Sequence, residues 1–144
     1  MRLRSRHPLL ALVLSAGLVS CGGTTPAPGD AGYPNSVSGS YVGRLVIEGN
    51  PFDATLQLRS ASGGRVTGAL RVADPITIEG RVEGVVIDDL LRITISYRSP
   101  EGCDGSIEGI LTVAERGGAL DGPVTVDDCA APVAGRMTFR TRPR

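Results

Sequence analysis

The chain has 144 residues, of which 41% are hydrophobic and 3% aromatic, and its formal net charge is zero. A hydrophobic fraction of this size is ordinary for a globular protein and excludes wholesale disorder. All 15 basic residues are arginines, and three of them lie within the first six positions. The rest of the chain is therefore slightly acidic and has no basic stripe, which argues against nucleic-acid binding.

The amino terminus has the features of an export signal. Three arginines precede an apolar run, Leu9–Val19, that is about 11 residues long. A membrane-spanning helix needs roughly 20 apolar residues, so the run is too short to cross a bilayer. It is typical of the apolar region of a signal peptide, which we predict over residues 1–20.

The apolar run ends in the sequence LVSCG, residues 18–22, which resembles the lipobox of bacterial lipoproteins. The resemblance covers residues 1–22. It implies cleavage before Cys21, a diacylglycerol on that thiol, and a further acyl chain such as palmitate on the new amino terminus. Two or three acyl chains hold a protein stably on a membrane. The alternative is an ordinary secretory signal followed by an unrelated cysteine.

The resemblance also implies a location. Gly22 is not the aspartate that retains many bacterial lipoproteins on the inner membrane. We therefore expect a protein lipid-anchored to the cell envelope. It would be located at the outer membrane if one is present, and otherwise at the outer face of the cytoplasmic membrane.

Residues 21–38 are rich in Gly, Pro, Thr and Ser and predict a flexible tether after the lipidated cysteine.

Residues 39–144 predict one small all-β domain. In Phe52–Arg59 apolar and polar residues alternate, as in a strand with one buried face, and Leu91–Arg98 repeats the pattern. Turn residues separate eight such segments. We predict strands over 40–48, 52–60, 65–72, 76–86, 90–98, 105–114, 119–126 and 134–141.

A second pattern bears on how these strands are arranged. An apolar-x-Gly-x-apolar unit recurs along them, and each glycine falls on the inward face. Inward glycine lets a strand coil sharply and relieves crowding in a narrow barrel. Short loops favour antiparallel neighbours. Together these features predict an eight-strand antiparallel meander closed into an up-and-down β-barrel, with a two-sheet β-sandwich as the alternative. The glycines are Gly43, Gly68, Gly80, Gly84, Gly109, Gly122 and Gly135.

The predicted domain resembles the lipocalin and avidin class of small β-barrels in its architecture alone. The chain has no tryptophan, so it lacks the Gly-x-Trp motif of lipocalins and the tryptophans of the avidin pocket. The resemblance therefore implies a fold and no particular ligand.

Cys103 and Cys129 remain as an even pair in an oxidising compartment. Cys103 precedes the sixth predicted strand and Cys129 follows the seventh, which runs antiparallel to it. Both cysteines therefore fall at the same end of the barrel, and we predict a structural disulfide between them. A redox-active pair, for which no CxxC motif is present, and two free thiols are the alternatives.

The residue inventory excludes much of enzyme chemistry. The only histidine, His7, lies in the export signal, and the chain has no lysine. Histidine-activated nucleophiles, Schiff bases and histidine metal sites are therefore excluded from the mature part. Asp104, Asp127 and Asp128 share one end of the barrel, but turn aspartates are common and no EF-hand spacing is present. We expect no catalytic residue, no cofactor and no metal site.

Five large side chains are predicted to face inward, where they either fill the barrel or line a small apolar cavity: Tyr41, Phe52, Tyr97, Met137 and Phe139.

Among the functions that this sequence allows, we rank first a non-enzymatic structural or protein-interaction module of the cell envelope. The second hypothesis is a lipocalin-like carrier of a small apolar or amphipathic ligand. The third, an enzyme, is disfavoured by the inventory. The expected partners are the membrane, through lipid on Cys21, and either an envelope protein or a small apolar ligand, with no nucleic acid.

Overall fold

The computed structural model describes residues 36–74 and 76–142. The predicted signal peptide over 1–20, Cys21 and the predicted tether up to residue 35 lie outside the described residues. In the part of the chain that is described, no helix is both long and apolar enough to cross a membrane.

Eight antiparallel strands close into a barrel. Each strand pairs with its neighbours in sequence, and the first pairs with the last, so the sheet has no free edge. The predicted up-and-down β-barrel is confirmed, and the sandwich alternative is wrong. The strands are β1 Gly39–Ile47, β2 Asn50–Ser60, β3 Arg65–Asp74, β4 Ile78–Ile87, β5 Leu90–Arg98, β6 Asp104–Ala114, β7 Ala119–Asp127 and β8 Val133–Thr141.

Two single-turn 3₁₀ helices, Ser62–Gly64 and Glu115–Gly117, connect β2 to β3 and β6 to β7. The predicted strand boundaries agree with the observed ones to within two residues. Differences of two residues occur at the start of β2, at the end of β3 and at the start of β4, which begins at Ile78 rather than at residue 76. Ile76, predicted to begin this strand, instead lies in the connection before β4 and is 40% exposed.

Strand β5 illustrates why these segments form strands. Leu91, Ile93, Ile95 and Tyr97 are buried, and every residue between them is exposed. The same alternation along the barrel directs 23 buried apolar side chains, from all eight strands and from Val37, into one continuous core. Burying a large apolar side chain completely contributes about 1.5–3 kcal/mol, so this alternation supplies the main driving force for the fold.

The inward glycines allow neighbouring strands to approach each other closely. A Cβ atom at Gly43 on β1 would overlap the carbonyl oxygen of Thr138 on β8 and lie 2.7 Å from the Cα of Phe139. Gly68 on β3 makes the same kind of approach to the carbonyl oxygen of Gln57 on β2. A larger residue at either position would push paired backbones apart, so glycine is what permits tight coiling there.

The two ends of the barrel are defined here by their loops and by the three strand residues on each side. The N-terminal rim comprises residues 36–41, 58–67, 85–92, 112–121 and 139–142. The disulfide rim comprises residues 45–52, 72–74, 76–80, 96–106 and 125–135.

The N-terminal rim is closed by the chain that leads into β1. Val37 is fully buried, and Ser38 Oγ accepts a hydrogen bond from the Ser60 amide at 2.8 Å. The Tyr41 hydroxyl donates to the carbonyl oxygen of Gly117 at 2.7 Å and lies 3.0 Å from that of Val37. Residues 36–38, the end of the predicted tether, therefore cross this rim from Glu115–Gly117 to β2 and plug it.

Candidate binding surfaces

The barrel interior is filled by side chains. Tyr41, Met137 and Phe139 are each at most 1% exposed, and Tyr97 is 7% exposed near the disulfide rim. Phe52 is half-buried and packs against the core at the same rim. All five candidate interior residues thus face inward, and four of them are buried among apolar neighbours.

A groove of about 620 Å³ lies on the outer wall across β1 to β4. Small residues form its floor, among them Thr67 and Ala69 on β3. In the sheet register, Ala69 lies between Gln57 on β2 and Arg81 on β4. In the next outward row, Thr67 lies between Arg59 and Glu83. Because neighbouring strands are about 4.8 Å apart, the polar side chains of β2 and β4 stand roughly 10 Å apart on either side of a low floor.

The two arginines of this groove are available for a partner. Five ion pairs lie on the described barrel surface, including Arg44 with Asp53 and Arg71 with Glu79. None of the five involves Arg59 or Arg81, although Glu83 is on the same strand as Arg81. The groove therefore presents two guanidinium groups, an amide and hydroxyls to solvent, all of which can form hydrogen bonds with an extended polar segment.

At the disulfide rim, Cys103 and Cys129 form the predicted disulfide, with their Cα atoms 5.6 Å apart. Ser99, only 6% exposed, accepts a hydrogen bond from the Cys103 amide at 3.3 Å, and its Oγ lies 3.4 Å from Cys129 Sγ. The bridge joins the β5–β6 loop to the β7–β8 loop. It therefore holds together two of the four connections at this end of the barrel.

Asp128 connects this bridge to the core. Its carboxylate accepts hydrogen bonds from the Tyr97 hydroxyl at 3.2 Å and from the Cys129 amide at 2.7 Å. Burial, then the charge and hydrogen bond of Asp128, then the charge of Asp127, raise the pKa of Tyr97 to about 12. Each of these causes favours the neutral phenol over the phenolate.

This cluster combines residue types that ligate metals, but its two cysteines are joined to each other. Ligand atoms of Cys103, Asp128 and Cys129 lie within 4.8 Å of one another. The sulfur atoms are joined in a disulfide, and the metal ligand of a cysteine is its thiolate. Asp104 and Asp127, which the sequence also placed at this end, are not part of the group.

Sequence reasoning missed the groove and the rim plug. Arg81 and Glu83 were recognisable as outward residues of one strand, but their grouping with β2 depends on the register between strands. The plug was hidden because Val37 is one apolar residue in a Gly- and Pro-rich stretch. The Tyr97–Asp128 contact joins residues 31 positions apart and has no local sequence signal.

Comparison with known proteins supports the fold. No family model and no curated protein matches the sequence. Among solved structures, the chain is similar to that of EF1p2_mFAP2b bound to DFHBI, with 15% identity and a TM-score of 0.60. The similarity covers 74% of this chain and 94% of that one. This chain is thus a small closed eight-strand antiparallel β-barrel that resembles a designed fluorescence-activating barrel of lipocalin-like architecture.

The first prediction concerns the disulfide. Replacing both Cys103 and Cys129 with serine should lower the free energy of unfolding by about 3–4 kcal/mol, because the bridge restricts a 26-residue separation in the unfolded chain. Urea denaturation of both proteins, with and without a thiol reductant, measures this loss. The reductant should destabilise the native chain and leave the double variant unchanged. Equal stability of the two proteins without reductant would contradict a structural role for the bridge.

The second prediction concerns alkaline pH. Tyr97 ionises near its ordinary pKa of 10.0 when unfolded and at about 12 when folded, and burial raises the pKa of Tyr41 to about 12 as well. The stability contributed by the two neutral phenols is therefore fully present below pH 10 and is lost as the pH rises towards 12. Denaturation curves recorded across this interval should show the decline.

The Asp128→Asn variant separates the causes at Tyr97. In this variant the pKa of Tyr97 should fall but stay above 10.0, because burial is the largest cause of the shift and persists. NMR titration of ring-labelled tyrosine resolves the individual residues. Glu101→Gln, on the same rim, is the matched control and should not move the Tyr97 resonance. An unchanged titration in Asp128→Asn would refute the contact.

Proposed function

We propose that this chain is a membrane-anchored extracytoplasmic lipoprotein whose barrel acts as a non-enzymatic protein-interaction module of the cell envelope. The observation that carries the proposal is the filled interior. Side chains from every strand meet in one continuous core. An interior packed in this way leaves the outer wall and the two rims as the surfaces that can meet a partner.

The groove across β1 to β4 is the surface that best suits such a partner. It combines a low floor at Thr67 and Ala69 with arginines at two of its edges. Arginine is enriched at protein interfaces, where its planar fork forms several hydrogen bonds at once. Arg59 and Arg81 have no carboxylate within ion-pair distance among the described residues, so binding a partner would not require them to give up an ion pair.

The carrier remains the second candidate, and one feature favours it. Phe52 is only half-buried at the disulfide rim, where Ile47, Ile78 and Val133 are likewise partly buried against the core. These four side chains could rearrange to admit a small apolar molecule. A carrier pocket usually encloses several hundred cubic ångströms, however, and Tyr41 and Phe139 already occupy the interior.

The third prediction tests the lipid anchor. In bacteria fed a palmitate analogue with a clickable tag, the chain should become labelled, and Cys21→Ser should abolish the label. The Cys103→Ser/Cys129→Ser double variant is the matched control, since it removes the other two thiols and should keep full labelling. Label that persists in Cys21→Ser, or a wild-type chain without label, would exclude lipidation at this cysteine.

The fourth prediction tests the groove. A photo-crosslinking amino acid placed at Ala69 in the groove floor should yield a discrete protein adduct in cells. The same group at Thr125, exposed on the far side of the barrel, should yield none. Combining Arg59→Gln with Arg81→Gln should remove the Ala69 adduct if the guanidinium groups hold the partner. Equal adducts at both positions would contradict a specific interface.

Mass spectrometry of the purified protein distinguishes a carrier from an interaction module. Native mass spectrometry of the barrel, purified without denaturation, should give the bare mass of the chain. An adduct of small mass that denaturation releases, together with no protein crosslink at Ala69, would replace the proposal with the carrier.

A further inference from the structure

The two rims of the barrel differ in charge. The N-terminal rim carries six arginines against four carboxylates, whereas the disulfide rim carries one arginine, Arg98, against six carboxylates whose side chains are described. The arginines of the N-terminal rim are Arg59, Arg65, Arg92, Arg116, Arg140 and Arg142. Among the described residues, only Arg140 of these six has an ion-pair partner, Glu115. One end of the barrel is therefore cationic and the other anionic.

The cationic rim also exposes large apolar side chains. Ile87 at the end of β4 is 60% exposed, and Leu90 at the start of β5 is 44% exposed. Both side chains face outward beside Arg92. Ile110, on the neighbouring strand β6 and 45% exposed, lies opposite Arg92 in the register. Apolar side chains with arginines around them are the combination that binds the interface of an anionic membrane.

The tether reaches the barrel at this same rim. The carbonyl oxygen of Ser36 lies so close to Gly117 that a Cβ there would overlap it, and Val37 is buried in the plug. Fourteen residues separate Cys21 from Ser36. Even fully extended they span at most about 50 Å, so a lipid on Cys21 would hold this rim near the bilayer.

We propose that the N-terminal rim is a membrane-docking surface that binds anionic phospholipid headgroups through its arginines and inserts Ile87 and Leu90 at the interface. The proposal rests on the lipid anchor of the proposed function for its location, but its chemistry resides in the barrel alone. It orients the anionic disulfide rim away from the membrane.

Two carboxylates at this rim oppose the docking. Asp88 and Asp89 form the turn between Ile87 and Leu90, and the Asp89 carbonyl oxygen accepts a hydrogen bond from the Val113 amide at 2.7 Å. That bond involves only backbone atoms, so replacing the Asp89 side chain leaves the turn intact. The arginines outnumber the carboxylates at the rim, and removing one carboxylate should strengthen binding.

The test uses residues 21–144 with Cys21→Ser, which retains the barrel and its plug but carries no lipid. We expect this chain to cosediment with vesicles made of equal parts phosphatidylglycerol and phosphatidylcholine, and not with phosphatidylcholine alone. Arg65→Gln and Arg92→Gln should each lower the partition coefficient about fivefold, and Asp89→Asn should raise it by a similar factor. High salt should weaken the binding of every variant.

Matched controls lie away from the rim. Arg98→Gln removes the arginine of the opposite rim, where it pairs with Asp104, and Ile76→Asn removes an apolar side chain exposed at that same opposite end. Neither should change partitioning, whereas Ile87→Asn should reduce it. Equal losses in the control and rim variants, or no preference for anionic vesicles, would overturn the proposal. Because the tested chain carries no lipid, these outcomes are independent of acylation at Cys21 and of crosslinking at Ala69.

Discussion

The pairing of β1 with β8 is the contact on which the rest of the structure depends. It joins Gly43 to Phe139 and Leu45 to Met137 and removes both edges of the sheet. Closure with eight strands leaves an interior just wide enough for side chains to fill. The close approach of Gly43 to the Thr138 carbonyl and the burial of Phe139 both follow from this narrow interior. Small residues lie where neighbouring strands approach closely, and large side chains fill the space that remains.

A filled cylinder determines where function can reside. The interior supplies stability, and the hydroxyls of Tyr41 and Tyr97 connect it to the two ends of the barrel. The first fixes the plug at one rim, and the second connects the core to Asp128 and the disulfide at the other. Each end is thus stabilised by one tyrosine hydroxyl, and the outer surface is left free to vary. Binding by such a barrel depends on its wall and rims, because fold alone does not specify function.

The fold was predictable because its signals are local. The alternation in Leu91–Arg98 assigns inward and outward faces without any knowledge of neighbouring strands, and the meander order then places Cys103 and Cys129 at one end. The groove was not predictable, because Gln57, Ala69 and Arg81 become neighbours only through the register of three strands. A shift of one residue would have moved each side chain to the other face. The burial of Val37 likewise depends on tertiary structure: the Tyr41 hydroxyl lies near its carbonyl oxygen, and the preceding Ser36 packs against Gly117.

The asymmetry of the rims follows from the same topology. In an up-and-down barrel, alternate connections fall at opposite ends, so arginines near one set of connections and carboxylates near the other become separated in space. Arg65, Arg92 and Arg116 lie in or beside connections at the N-terminal rim, and Glu48, Glu101 and Asp128 lie in connections at the disulfide rim. A modest pattern along the chain thus becomes an electric polarity along the barrel axis. Under the proposed anchoring, the anionic, disulfide-linked loops would face away from the membrane.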